Sequence, residues 1–222
     1  VALVALIGRS IGGALLVGTV FGAVFYTTHL VWVGEFLGPV PWLALAGLEA
    51  VLIGAGAVPI ALAYRWTARY PARGLVQLLA VPPLIGVLWT AREVVMGAWP
   101  YSGFPWARLG MTQVGGPLAE AVSWTSVTGL SLLIVILCAS VVQWIRAGGI
   151  RFMLGLHPAV SVAALLVIAP QFPTAPAGEF RVGWVQGNGP TGYFDDKVPG
   201  DVLAAQTAAT VPLYGQPMDL LA

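Results

Sequence analysis

Long apolar runs separated by short polar connections occupy most of the chain. Five of these runs reach about the 20 residues that a membrane-crossing helix needs. They are residues 11–33, 42–64, 74–91, 121–145 and 152–172. The pattern predicts an all-α bundle with five membrane spans, and the shorter apolar run at residues 1–8 is predicted to be the end of a preceding helix.

Composition agrees with a membrane protein and excludes several other classes. The chain is 58% hydrophobic and 9% charged, with a mean hydropathy of +0.87, whereas soluble domains carry about 25% charged residues. A net charge of +1, without a basic stripe, gives no basis for binding nucleic acid. One cysteine, Cys138, and two distant histidines, His29 and His157, lack the spacing of a metal site. We therefore expect no metal and no cofactor.

The distribution of arginine predicts the orientation. Arginines gather before the first run, between the second and third, and between the fourth and fifth: Arg9, Arg65, Arg69, Arg73, Arg146 and Arg151. By the positive-inside rule these connections face the cytoplasm. The alternate connections, and everything after the fifth run, then lie on the outer side.

The composition changes after a proline-rich linker that follows the fifth apolar run. Charged residues return from Glu179 onwards, and residues 181–186 are typical of a short strand that ends at a Gly-Asn-Gly-Pro turn. Residues 201–211 predict a helix stopped by Pro212, and residues 218–222 begin another strand-like run. We predict a membrane domain at residues 1–174 and the beginning of a soluble domain at residues 179–222.

An irregular segment, WPYSGFPWARLGMTQ, interrupts the apolar pattern at residues 99–113. It contains two prolines, two glycines, four aromatic residues and one arginine, and we call it the aromatic loop. Trp and Tyr concentrate at the headgroup level of membranes, so one interpretation is an aromatic belt. The other is a lipid-handling surface, with rings for acyl chains and Arg108 for a phosphate.

Two motifs resemble the bacterial apolipoprotein N-acyltransferase family. Residues 91–113, AREVVMGAWPYSGFPWARLGMTQ, are similar to its signature, in which a helix with an acidic residue leads into G-F-P-W and then a Gln. Residues 181–190, RVGWVQGNGP, resemble the V-Q-G-N-x-P that opens the family's nitrilase-like domain. The resemblance implies a membrane bundle followed by the first elements of an α/β nitrilase-like (carbon-nitrogen hydrolase) domain.

The same resemblance implies an activity, its partners and a location. The family transfers an acyl chain from a phospholipid donor to the N-terminal cysteine amine of a diacylated lipoprotein acceptor, the last step of lipoprotein maturation. This happens on the outer, periplasmic side of the cytoplasmic membrane, through a thioester on a Glu-Lys-Cys triad. That triad is expected beyond Ala222, so residues 1–222 are predicted to be inactive alone.

Family correspondence also nominates residues that contact substrate. In the aromatic loop these are Gly103, Phe104, Pro105 and Trp106, and after V-Q-G-N the place of an aromatic lid falls on Phe194. The family pattern has an arginine three residues after its acidic residue, where this chain has Met96. Arg92 and Arg108 are the candidates to replace it as headgroup-binding arginines.

Two residues inside the apolar runs and one rival function complete the predictions. Glu49 is either a satisfied polar contact inside the bundle or part of a headgroup pocket, because a carboxylate in a membrane needs a partner. Cys138 is predicted to pack in an apolar core. The alternative function is a non-catalytic membrane anchor or scaffold for a polyprenol-phosphate mannose synthase.

Overall fold

A computed structural model describes residues 1–69, 77–147, 149–168, 173, 175, 177–190, 192, 195–196 and 198–222. Within these residues the helices are α1 (Ala2–Leu6), α2 (Ile11–His29), α3 (Val31–Leu37), α4 (Pro39–Thr67), α5 (Val81–Met96), α6 (Val122–Ala147), α7 (Gly149–Ile168) and α8 (Asp201–Thr210). Short 3₁₀ turns lie at Pro105–Ala107, Leu109–Gln113, Ala119–Ala121 and Val211–Leu213. The strands are β1 (Val182–Gly183) and β2 (Leu220–Leu221).

The described helices confirm the first four predicted membrane spans. Four helical segments are long and apolar enough to cross a membrane in the described part of the chain: Ile11–His29, Pro39–Thr67, Gln77–Met96 and Ala119–Arg146. The fifth predicted span overlaps α7, Gly149–Ile168, and residues 169–172 lie outside the described residues. The five-span count therefore stays a prediction, as does the orientation.

The chain divides into two compact units. The first comprises Val1–Thr28 and Leu45–Phe172, and the second comprises His29–Ala44 and Pro173–Ala222. In the second unit β1 and β2 pair in parallel, with Val182 opposite Leu220, and α8 lies between them in the chain, as parallel pairing requires. The predicted strand, helix and strand are thus present, while their assignment to a nitrilase-like domain remains a prediction.

Small residues bring α2 and α4 together. Gly18 and Gly22 of α2 are buried, and a Cβ atom added to Gly22 would lie 2.8 Å from the Ala50 Cα atom. A Cβ added to Gly18 would lie 2.8 Å from the Gly54 Cα atom. Membrane helices lack a hydrophobic force that drives them together in lipid, so close backbone packing at small residues supplies much of their attraction.

A second apolar cluster joins α4, α5 and α6. Its buried members include Ile60, Tyr64, Ile85, Val135 and Ala139. On α5, a Cβ atom added to Gly86 would lie 2.7 Å from Ile136 Cγ1. The aromatic loop therefore belongs to a segment that connects two helices packed closely against each other.

We expect Gly22→Ala to destabilise the bundle, because the new methyl group forces the backbones of α2 and α4 apart. Overpacking of this kind costs about 1–3 kcal/mol. Gly47→Ala in α4 is the matched control, since no heavy atom lies within 4 Å of a Cβ built there. Denaturation of both variants in detergent measures the difference, and equal stability of the two would contradict the close packing of α2 on α4.

Candidate functional site

The aromatic loop folds back onto the C-terminal end of α5. Tyr101, Ser102 and Gly103 have φ values of 50°, 77° and 75°. The Gly103 N–H donates to the Pro100 carbonyl at 2.7 Å, and the Phe104 N–H donates to the Met96 carbonyl at 2.7 Å. A Cβ atom at Gly103 would overlap the backbone of Gly97 and Ala98. The turn therefore requires glycine at this position, both for its φ and for the space.

Aromatic rings cover the surface of the loop. Phe104 and Trp106 stack with their centroids 5.7 Å apart and an interplanar angle of 24°. Trp99, Tyr101 and Trp106 are 62%, 99% and 56% exposed. A tight backbone turn thus presents its large side chains outwards.

A buried carboxylate attaches the loop to α5. Glu93 is 5% exposed, and its Oε1 accepts hydrogen bonds from Trp89 Nε1 at 2.8 Å and from the Leu109 backbone N–H at 3.1 Å. Arg92 Nη2 lies 3.7 Å from the same oxygen. We call Trp89, Arg92 and Glu93 the buried anchor. Because Leu109 begins the 3₁₀ turn Leu109–Gln113, the anchor fixes the second half of the loop.

Arg92 is held by contacts on three sides. Its guanidinium carbon lies 4.4 Å from the centroid of the Trp89 ring, a cation–π arrangement. Its Nη1 reaches Met96 Sδ at 3.5 Å. On α4, a Cβ atom added to Gly56 would lie 2.6 Å from Arg92 Cγ. The absence of a side chain at Gly56 makes room for the arginine within the bundle.

A second set of hydrogen bonds attaches the loop to α6. The Gly110 N–H donates to Ser131 Oγ at 2.8 Å, and Arg108 Nη1 donates to Thr128 Oγ1 at 3.3 Å. Near these contacts α6 is kinked at Ser126, which has φ 62° and ψ 172°. The loop is therefore attached to both helices that it connects.

Glu49 is buried beside a tyrosine of the neighbouring helix. It is 1% exposed, and it interacts electrostatically with Tyr26 of α2, which is 3% exposed. Its second oxygen, Oε2, has no hydrogen-bond partner among the described residues. Tyr26 is thus the polar neighbour of a carboxylate in a span, and both interpretations of Glu49, a satisfied contact or part of a headgroup pocket, stay predictions.

A cavity of about 250 Å³ lies beneath the loop. Its wall includes Phe21, Phe25 and Tyr26 of α2, the buried anchor, and Leu109 and Cys138. An apolar cavity of about 150 Å³ is large enough for benzene, so this one has room for part of a hydrocarbon chain.

Cys138 corrects one prediction. It was expected to pack in an apolar core, but it is exposed and lines the cavity. Val135 and Ala139 of α6 are buried, and Cys138, three residues after Val135, belongs to the same helix face. It is exposed because the cavity leaves this part of the face uncovered.

The structure brings six of the seven predicted site residues to one end of α5. Gly103, Phe104, Pro105 and Trp106 form the turn described above, and Arg92 and Arg108 line one recess together with Met96 and Phe104. Both candidate arginines therefore reach the surroundings of Met96, the position where the family pattern has an arginine. Phe194 lies outside the described residues.

Four residues that contact the site were not predicted from the sequence. They are Tyr26, Trp89, Thr128 and Ser131. Only Trp89 carried a usable signal, because Trp89 and Glu93 are four residues apart on one helix face. The other three contact partners in distant elements, and a single sequence does not contain that information.

The helical spans and the anchored loop define a multi-pass membrane protein. A sequence profile described as "Apolipoprotein N-acyltransferase N-terminal domain" matches residues 1–140. The chain belongs to the apolipoprotein N-acyltransferase family, as the two motifs indicated.

Several relatives of this family support the assignment. The Apolipoprotein N-acyltransferase of Geobacter metallireducens is 31% identical over 188 residues, which are 79% of this chain and 35% of the relative. That of Shewanella oneidensis is 32% identical over 150 residues, 67% of this chain and 28% of the relative. That of Azotobacter vinelandii is 31% identical over 192 residues, 79% and 35%. The matched region thus spans about a third of the length of these relatives.

We expect Glu93→Leu to destabilise the protein strongly, because it leaves the Trp89 indole N–H, the Leu109 N–H and Arg92 without their acceptor. Removing one partner of a buried ion pair costs about 3–5 kcal/mol. Glu93→Gln keeps a carbonyl oxygen for the two N–H donors and should cost less.

The exposed carboxylate of Glu35 supplies the control, as Glu35→Leu removes a charge without breaking the anchor. Denaturation in detergent compares the three variants. If Glu93→Leu were no less stable than Glu35→Leu, the anchor would not hold the loop.

Proposed function

We propose that this chain supplies the membrane bundle, and the beginning of the soluble domain, of an enzyme that moves an acyl chain from a phospholipid to the N-terminal cysteine amine of a diacylated lipoprotein. The family assignment supports this reaction class. The observation that carries the proposal is the aromatic loop. Its G-F-P-W turn is hydrogen-bonded to the end of α5 through Phe104, its second half is fixed by the buried anchor, and Trp106 stays exposed.

The loop is suited to handling a lipid acyl chain. Its exposed rings offer flat apolar surface, which is the largest source of contact energy at such sites. The hydrogen bonds to α5 and α6 hold the loop backbone in place before a ligand arrives. Little backbone entropy is therefore lost on binding. Gly103 and Pro105 shape the turn, Phe104 supports Trp106 by stacking, and Arg92 and Arg108 provide positive charge at the adjacent recess for a headgroup phosphate.

The bond-making residues of the family's mechanism have no proposed counterpart among residues 1–222. The one cysteine of the chain, Cys138, lies within the membrane-span helix Ala119–Arg146. We therefore propose that residues 1–222 alone transfer no acyl chain, and that they position lipid for a thiol located elsewhere in the complete enzyme.

Acyl transfer is tested with the chain fused to the remaining part of the Geobacter relative. We expect the fusion to move a fluorescent acyl chain from phosphatidylethanolamine to a diacylglyceryl lipopeptide, and Trp106→Ala to lower the rate about tenfold or more, since burial of a large aromatic side chain contributes about 1.5–3 kcal/mol.

Trp66→Ala is the matched control, because Trp66 is 57% exposed and Trp106 is 56% exposed. Trp66 lies at the C-terminal end of α4 and does not belong to the aromatic loop. Equal loss in the two variants would refute a role for the loop. A fusion that transfers no acyl chain, together with a chain that supports the activity of a polyprenol-phosphate mannose synthase, would favour the alternative function. Acylation of Cys138 in the unfused chain would contradict its proposed inactivity.

We further propose that the aromatic loop and residues 179–222 lie on the periplasmic side of the cytoplasmic membrane, as the arginine distribution favours. In a Cys138→Ser background, Tyr101→Cys should react with a membrane-impermeant maleimide added to spheroplasts. Arg69→Cys, in the connection predicted to face the cytoplasm, should react only after permeabilisation. The reverse pattern would invert the topology.

A further inference from the structure

The parallel ladder between β1 and β2 extends to Val185 and Ala222. The Ala222 N–H donates to the Gly183 carbonyl at 2.9 Å, and the Val185 N–H donates to the Ala222 carbonyl at 2.9 Å. In a parallel ladder the next two backbone groups on this edge are the Val185 carbonyl and the Gly187 N–H.

A side chain of α8 takes that next rung. Gln206 Nε2 donates to the Val185 carbonyl at 2.9 Å, and Gln206 Oε1 accepts from the Gly187 N–H at 2.9 Å. One carboxamide thus bonds to two backbone groups of the segment that follows β1. Through Gln206, α8 holds the backbone at both Val185 and Gly187.

The turn that follows β1 packs on the same face of α8. A Cβ atom added to Gly187 would lie 2.7 Å from Gln206 Cα, and one added to Gly189 would lie 2.9 Å from Val202 Cα. Val202 and Gln206 are four residues apart and share one helix face. Two glycines separated by one residue therefore rest on the helix, and the residue between them is Asn188.

Asn188 is presented outwards by this arrangement. It is exposed and has φ 49°, a left-handed conformation that asparagine tolerates better than most residues but that still has a cost. In the part of the chain that the structure describes, no hydrogen bond of its carboxamide is seen. It follows the carboxyl end of a strand in a parallel pair, the edge at which ligands bind in open α/β sheets.

We propose that Gln206 is a positioning residue that holds the Gly187–Asn188–Gly189 turn, so that the Asn188 side-chain N–H contacts the carbonyl oxygen of an acyl ligand. The choice of ligand rests on the proposed function, because an ester or thioester carbonyl is the group on which acyl transfer acts. A neutral carboxamide suits that oxygen, since it donates a hydrogen bond without introducing a charge.

Hydrogen exchange tests the positioning role without any activity. In the full chain, Gln206→Leu should speed exchange of the Gly187 amide about tenfold or more, because that N–H loses its acceptor, while the Val185 amide, which donates to Ala222, stays protected. Gln216→Leu is the matched control, since Gln216 donates only a local bond to the Pro212 carbonyl. Unchanged exchange at Gly187 in Gln206→Leu would overturn the positioning role.

A double-mutant cycle in the fusion protein tests the contact. Asn188→Ala should lower the rate of acyl transfer about tenfold, Gln206→Leu should lower it by a comparable factor, and the double variant should be no slower than Asn188→Ala, because Gln206 acts through Asn188. Multiplied losses, or full activity of Asn188→Ala, would overturn the contact.

The two proposals fail separately. A folded fusion without any acyl transfer contradicts the proposed function and the ligand assigned to Asn188. The exchange result at Gly187 still decides whether Gln206 holds the turn.

Discussion

The buried carboxylate of Glu93 holds together elements that the chain separates. Its Oε1 serves a helix through Trp89, a loop through Leu109 and a neighbouring charge through Arg92. A carboxylate away from water is stable only with such donors, and the donors in turn have few other acceptors within a membrane. Each group therefore constrains the others, and the Leu109 N–H of the irregular loop finds its acceptor on the preceding helix.

Absent side chains are the second constraint on the bundle. Gly18 and Gly22 let α2 approach α4, and Gly56 makes room for Arg92. Close contact and buried charge thus depend on the same device, which is a missing side chain on the facing helix. Such a bundle gains its specificity from shape, because lipid surrounds it with groups as apolar as its own surface.

The sequence predicted what depends on local pattern. Apolar length located four spans, and Pro212 located the end of α8 to within one residue. The Gly-Asn-Gly-Pro turn did not locate the end of β1, because the strand already ends at Gly183. The aromatic loop was found by motif, and Arg92 of α5 and Arg108 of the loop were nominated as its arginines. The partners Tyr26, Thr128 and Ser131 could not be found, because each contact joins residues of different elements and depends on how helices pack. The burial of Cys138 was predicted wrongly for a related reason, since the cavity that exposes it is formed by residues of several helices.

The rung occupied by Gln206 links the rotation of a helix to the register of a sheet. Rotating α8 by one residue turns its side chains by about 100° and carries the Gln206 carboxamide away from Val185 and Gly187. The angular setting of α8 is thus fixed by two hydrogen bonds at the end of a strand.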